Sequence, residues 1–390
     1  MDHSDLTITG VKAVEVRNVP FSDGLIPPWN PTQCITTRDY CVIQIETNAG
    51  IVGISMDGDY TPGLPARAGD VDALVAPYLI GKPVMDMEDH TAFLHSIRNR
   101  GRFFFIAVAL WDIVGKVVGL PLYKLWGGAR DRVPVYASTV QHGRSPEDRA
   151  EDCLRYLEQG YRAVKLRLSA ETVAGDIALV QAVRDAVGDR MDIMVDANQA
   201  GKGPDSTENG TTWDLARATE TVRLLGELGV YYLEEPLAYV LEDDGIRLRE
   251  SSPIPIAGGE GKRGPGAFWH LLKRGIYDIV QPDPIVGGTP TDMLKIRAMA
   301  QGASTPVIYH HGKSGIGFMI GLHLATCFGN SPWLEYMDDG PFWWPRGFQV
   351  GFSEVVPLDA DGCVRCPDTP GLGVEWDTDW LASGGLGEGG

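Results

Sequence analysis

Clustered positive charge is the first thing this chain lacks. Its 34 Lys and Arg are outnumbered by 52 Asp and Glu, giving a formal net charge of -18 over 390 residues. They form no basic patch or run of the kind that binds a phosphate backbone or an anionic bilayer. Nucleic acid and membrane surfaces are therefore not expected as partners. A carboxylate substrate is still compatible, because a bound metal and a few cations can dominate the local field. There is no disulfide framework either. The six cysteines have no paired spacing, and the single CxxC, Cys363 and Cys366, has no second pair to complete a zinc site. Free thiols in a reducing compartment are expected. No charged segment followed by an apolar one opens the chain, since Met1-Asp-His-Ser-Asp5 is polar. The longest apolar stretch, Phe103 to Leu120, is interrupted by Asp112 and Lys116 and reads as a buried helix rather than a membrane span. A cytoplasmic protein is the expectation.

What is present changes rhythm once. Ile8 to Val19 and Cys41 to Gly53 read as antiparallel strands with a turn at Thr47-Asn-Ala-Gly50, and Asp70 to Ile97 reads as helical. This predicts an α+β module over residues 1–132. Two loops, Pro20 to Pro31 and Ser55 to Pro62, are placed to cover a site. From Val133 onward strand-like runs near 133–139, 162–168, 191–196, 230–234, 254–258, 277–281, 306–309 and 333–336 alternate with helical patterns, of which the one after the fourth run is weakest. Eight such runs predict a parallel barrel over 133–355. Residues 356–390 are expected to fold back on the first module and to end in a mobile tail at Leu386 to Gly390.

The chemistry sits at the ends of those runs. Asp196, Glu234 and Glu260 each close one, and Asp283 and His310 close two more. The carboxyl ends of barrel strands converge on one mouth, so residues far apart in sequence meet there. Three hard oxygen donors suit Mg²⁺, with Mn²⁺ as the alternative. In Glu234-Glu235, strand alternation lets one side chain point inward, and Glu234 is taken as the ligand. Lys165 and Arg167 share a face of the second run. They form either an ion-pair network with the acids or, for Lys165, a ligand for a substrate carboxylate; Arg167 is too basic to act as a base. His310 with Asp283 reads as a base dyad, His311 being the competing histidine. Glu335 is either a hydrogen-bond donor to the developing enolate, given a raised pKa, or a rim salt bridge. Asn198 shares a face with Asp196 and is a candidate substrate contact.

Lys165-Leu-Arg167, Asp196-Ala-Asn198, Leu233-Glu-Glu-Pro236, Gly258-Gly-Glu260, Gln281-Pro-Asp283, His310, Trp333-Leu-Glu335 and Pro370-Gly-Leu-Gly373 together give a chain that resembles the enolase superfamily, in its mandelate racemase-like branch, over essentially its full length. The resemblance implies a modified (β/α)₇β TIM-type barrel with an α+β amino-terminal capping domain. It also implies one Mg²⁺ per subunit, a metal-stabilised enediolate, and a homo-oligomer, dimer or octamer. Two departures stand out. The branch usually carries Lys-x-Lys where this chain has Lys165-Leu-Arg167, which removes a base from one face. A long polar loop, Ala200 to Thr212, follows the Asp196 strand as a lid or a subunit contact. The expected activity is dehydration of a sugar acid, an aldonate or aldarate, to a 2-keto-3-deoxy acid. The alternatives are an epimerase, racemase or cycloisomerase of the same superfamily, with Lys165 as the opposite base, or a non-catalytic binding relative. Candidate substrate contacts are Trp29, Asp57, Tyr60, Gln141, His142, Trp343 and Trp344.

Overall fold

The computed structural model describes residues 6–59, 67–97, 103–202, 211–311, 314–340, 342 and 345–383. The amino-terminal module is a three-stranded antiparallel sheet in the order β1 (Ile8–Leu25), β2 (Ile35–Thr47), β3 (Val52–Asp59). The middle strand is buried along most of its length, with Tyr40, Cys41, Val42 and Ile43 all at 0% exposure. Such a strand reads as a continuous apolar run instead of an alternating one. The helix Ile106–Val118 packs across β2 and β3 and buries Ile106, Leu110 and Ile113. Its backbone comes close because Gly53 has no side chain: a Cβ there would overlap the Ala109 carbonyl oxygen. The predicted turn at Thr47 to Gly50 closes the β2–β3 hairpin, with Gly50 at φ +73°. Both expected covering loops are shorter than the sequence suggested. Strand pairing continues to Leu25 in the first and Asp59 in the second, where partners across the sheet satisfy the backbone.

Eight parallel segments follow. They are β4 (Arg132–Ser138), β5 (Ala163–Arg167), β6 (Asp192–Asp196), β7 (Leu233–Glu234), β8 (Ile256–Gly258), β9 (Ile279–Val280), an extended segment bridged to β9 at Val307, and β10 (Leu334–Met337), which returns to pair with β4. A helix joins each neighbouring pair, including Glu242–Ser251 after the fourth segment, so seven helices separate eight strands among the described residues. The helix starts are written locally: Ser145, Thr172 and Asp214 each accept a backbone N–H from the first turn, and Thr289 with Asp292 forms a reciprocal capping box. Val164, Ile193, Leu233, Ile256 and Val280 point outward to the helices. Tyr136, Ala163, Met194, Tyr232, Ala257, Ile279 and Ile308, from seven of the eight segments, interlock inside the barrel, and the half-buried Trp333 packs against them from the eighth. Side chains alternate along a strand. Two residues beyond this inner layer stand Ser138, Lys165, Asp196, Glu234, Gln281 and His310, so the layer's register alone places the polar groups at one mouth.

The carboxyl-terminal segment passes over both parts. β11 (Cys363–Arg365) pairs antiparallel with β4. Beyond it the Leu372 N–H donates to Asp112 in the amino-terminal helix at 2.8 Å, and Trp380 meets Tyr40 of β2 edge-on. The expected tail at Leu386 to Gly390 lies outside the described residues. No helix among them is long and apolar enough to cross a membrane.

Candidate active site

At the floor of the mouth Lys165 lies between two carboxylates, 2.9 Å from Glu234 Oε2 and 2.8 Å from Glu335 Oε1. All three side chains are buried. Burial opposes the lysine's charge, but the two carboxylates outweigh it and hold the ammonium well above the usual lysine range. Lys165 does not line the cavity above it. Of the two sequence readings, the structure shows the ion-pair network. Glu335 makes the salt bridge of its second reading, at the buried floor instead of the rim. Burial alone would raise its carboxyl, yet Lys165, His310, His311 and Arg167 together hold it well below the ordinary carboxylate range. Its oxygens accept from the Ser138 hydroxyl at 2.7 Å and the His311 N–H at 3.1 Å.

Arg167 lines the cavity and is tied on every side. Its guanidinium pairs with Asp196 and donates to the Thr139 carbonyl at 2.7 Å and the Ser138 hydroxyl at 3.2 Å. Asn198, at φ +48°, folds back on Asp196: its N–H donates to Oδ1 at 2.7 Å and its amide to Oδ2 at 2.9 Å. Burial and the neighbouring Glu234 push the Asp196 carboxyl up to about 7, against the pull of Arg167 and Lys165.

His310 faces the cavity, with Nδ1 2.9 Å from Asp283 Oδ2 and Nε2 3.1 Å from Glu260 Oε2. The other Asp283 oxygen accepts the N–H groups of Ile285 and Val286, which fixes the carboxylate. Burial would lower the ring's pKa, but Glu260 and the Asp283 hydrogen bond reverse this and raise it to about 10. His311 points the other way. It packs against Phe318 and Phe348, and burial lowers it to about 4, a neutral core histidine. Alternation thus separates the two histidines as the sequence requires.

The cavity, about 340 Å³, also receives two residues that sequence reasoning missed, Glu235 and Tyr239. Glu235 sits at φ +44°, in the left-handed region, which breaks the alternation and turns it toward the mouth beside Glu234. The Tyr239 hydroxyl donates to Glu235 Oε1 at 2.5 Å and accepts the Gly261 N–H at 2.8 Å. Burial and the charges of Glu260, Asp196 and Glu234 raise the Glu235 carboxyl well above its usual value. Nothing in the local sequence marks the positive φ.

Of the other predicted contacts, Trp29 lines this cavity. Gln141 and His142 line a neighbouring one that shares Arg167; the Gln141 side chain accepts the Ile26 N–H at 3.0 Å, and His142 bonds Ser169 at 3.1 Å. Asp57 is not at the cavity. It is buried in β3 against Arg67 at 2.5 Å, because the strand continues where a loop was expected. Tyr60, Trp343, Trp344 and most of the Ala200 to Thr212 loop lie outside the described residues.

Comparison with known proteins agrees with the architecture. Residues 148–380 match the family model described as enolase C-terminal domain-like, and residues 16–127 that of the mandelate racemase/muconate lactonizing enzyme N-terminal domain. The chain belongs to the enolase superfamily, in its mandelate racemase-like branch. It is similar to arabinonate dehydratase of Saccharolobus solfataricus, at 32% identity over 274 residues, 69% of this chain and 68% of that protein. It is also similar to D-galactarolactone cycloisomerase of Agrobacterium fabrum, at 30% identity over 361 residues, 88% and 90% of the two chains. The crystal structure of a mandelate racemase/muconate lactonizing enzyme from a marine actinobacterium in complex with magnesium superposes with a TM-score of 0.78 at 25% identity, covering 97% of this chain and 99% of that one.

Superfamily members bind Mg²⁺, so the donor set here can be judged against that ion. Among the described residues no three His, Cys, Asp or Glu side chains are gathered closely enough to ligate one ion. Arg167 draws Asp196 aside and His310 holds Glu260. The chemistry of the set nonetheless fits. All donors are hard carboxylate oxygens, Asp196 and Glu260 both have raised pKa values from burial together with neighbouring negative charge, and Glu234 Oε1 is buried with no hydrogen-bond partner.

Proposed function

We propose that this enzyme dehydrates a sugar acid, an aldonate or aldarate, to a 2-keto-3-deoxy acid, with His310 as its one base. The observation that carries the reading is the dyad. His310 faces the cavity with Nδ1 on Asp283, and the only other titratable nitrogen side chain in the described lining is Arg167. Asp283 accepts the Nδ1–H; Nε2, which pairs with Glu260 at 3.1 Å here, would be freed to take the proton next to the substrate carboxylate once Glu260 turns to a bound cation. Arg167, with a pKa raised further by Asp196 against the effect of burial, has no means of taking a proton from the opposite face. His310 then returns the proton to the β-hydroxyl, which leaves as water, and the resulting enol tautomerises to the keto acid.

Asp196, Glu234 and Glu260 would hold a divalent cation, which when bound offsets the second negative charge that develops on the substrate as the α-proton leaves. Lys165 keeps Glu234 in place from below, and Gln281 donates to the same oxygen at 2.8 Å. The dehydratase relatives support this reading. The cycloisomerase relative supports a second one, in which the same abstraction expels a ring oxygen instead of a hydroxyl. A racemase with Lys165 as second base is disfavoured by the burial of Lys165 beneath two carboxylates.

The test is a screen of the purified protein with Mg²⁺ against sugar acids and their lactones, detecting 2-keto-3-deoxy products. Turnover that disappears in His310→Asn supports the proposal; ring opening without 2-keto-3-deoxy product from any open-chain acid favours the second reading. Assembly into a homo-oligomer is part of the proposal, and light scattering after size exclusion reads it directly.

A further inference from the structure

Glu235 holds a left-handed conformation, at φ +44°, that strains a residue with a side chain, and such strain persists where the surroundings impose it. Here it sets a carboxyl into the cavity beside the buried Glu234, in a lining that Glu260 and Asp283 share. Tyr239 fixes one of its oxygens, and Gly261 fixes Tyr239 in turn. Among the described residues no other group hydrogen-bonds this carboxyl, although it lines the cavity. Trp29, Val286 and Met337 add an apolar surface to the same space. The described lining has two cations, and both are committed, Arg167 to Asp196 and His310 to Asp283 and Glu260. Lys262, 4.5 Å over the Tyr239 ring, does not line the cavity.

We infer that Glu235 and Tyr239 form a hydroxyl-recognising wall that makes the site selective for sugar acids with one carboxylate, aldonates, over the matching dicarboxylates. A hydroxyl both donates and accepts, so it satisfies the Glu235 carboxyl whichever proton that group holds. Its C–H side packs on the apolar surface opposite. A second carboxylate brings a charge for which the described lining offers no uncommitted cation, and an unpaired charge withdrawn from water is costly. The strain at Glu235 is then the means by which a strand end presents two consecutive carboxyls, one toward the metal-binding set and one toward the sugar chain.

This inference rests on the sugar-acid reading above, and the experiment separates the two. Titration calorimetry and initial rates with Mg²⁺ would compare D-galactonate with galactarate and D-gluconate with glucarate, pairs alike at the carbons between their ends. The expected result is at least a tenfold preference for the aldonate of whichever pair is accepted. Tyr239→Phe, which leaves the Glu235 carboxyl in place, should raise KM roughly tenfold and kcat much less. An analogue lacking the terminal hydroxyl should bind parent and variant with similar affinity. Glu235→Gln, checked for native circular dichroism, should raise KM in the same direction. Equal or better use of the dicarboxylates, or an unchanged KM in Tyr239→Phe, would overturn the inference and leave the dehydratase reading standing. Selective aldonate binding without any turnover would do the reverse, and failure to bind any of the four acids would sink both.

Discussion

Replacing Lys165 by methionine removes the one cation between Glu234 and Glu335 while nearly conserving the side chain's length. The parent contacts are 2.9 and 2.8 Å, and all three groups are at most 1% exposed. Breaking a buried pair from one side leaves an uncompensated charge and typically costs about 3–5 kcal/mol. Glu234 loses its cation and, among the described residues, Glu335 keeps only Arg167, 4.0 Å away, so the upper half of that range is expected at pH 7. The loss should depend on pH. The Glu335 carboxyl is held below its usual range in the folded parent, so its contribution is whole above the unfolded carboxylate pKa and is lost progressively as pH falls from there to the lower folded value. Parent and Lys165→Met should therefore grow closer in stability as pH falls below about 4.5. Urea unfolding followed by tryptophan fluorescence, in EDTA and at several pH values, measures the gap. The double variant Lys165→Met/Glu335→Gln, which removes one stranded charge, should recover about 1 kcal/mol or more. A cost under about 1 kcal/mol at pH 7, or a gap that widens on acidification, would show that Lys165 is not the electrostatic centre of the floor.

Further expectations come from other parts of the molecule. His310→Asn should fold normally and lose about 10²–10⁴-fold or more in kcat, read by steady-state rates on any accepted acid; a smaller loss would remove the histidine from the role of base. His323 is buried and neutral, accepting the Tyr123 N–H on Nδ1 and facing the Leu372 carbonyl with Nε2, and burial lowers it to about 4. Because its unfolded pKa is near 6.5, its contribution is whole above that value and is lost as pH falls toward 4, by about 3 kcal/mol at most. His323→Gln should flatten the stability profile in that window, whatever its effect at pH 7. Gly53→Ala should destabilise by about 3 kcal/mol or more, since the new methyl overlaps the Ala109 carbonyl in a tightly packed helix–sheet contact; a thermal melt within a degree of the parent would contradict the packing described.

The parts legible in the sequence are those governed by strand period. Acids at Asp196 and Glu234, and His310 rather than His311, fall at the mouth because each stands two residues beyond a barrel-filling side chain. What the sequence did not disclose depends on tertiary surroundings. Glu235 reaches the cavity only because its φ is positive, and no residue type near it requires that. The fate of Lys165 was open until Glu335 proved close enough to bind it, and that same proximity lowers the Glu335 carboxyl instead of raising it. Asp57 fell within the expected loop Ser55 to Pro62, yet pairing with β2 extends the strand through it to Asp59 and leaves Asp57 against Arg67.

The central claim is a single base on one face of the substrate, and isotope exchange tests it most directly. Turnover of an accepted acid would be run part-way in deuterium oxide, and the unreacted acid recovered and examined by NMR at its α-carbon. With His310 alone able to move the proton, the recovered acid should be unlabelled or labelled with retained configuration, and Arg167→Met should not change that stereochemistry. Deuterium in an α-epimer, formed by the parent protein, would contradict the account, because it requires a second proton donor on the opposite face.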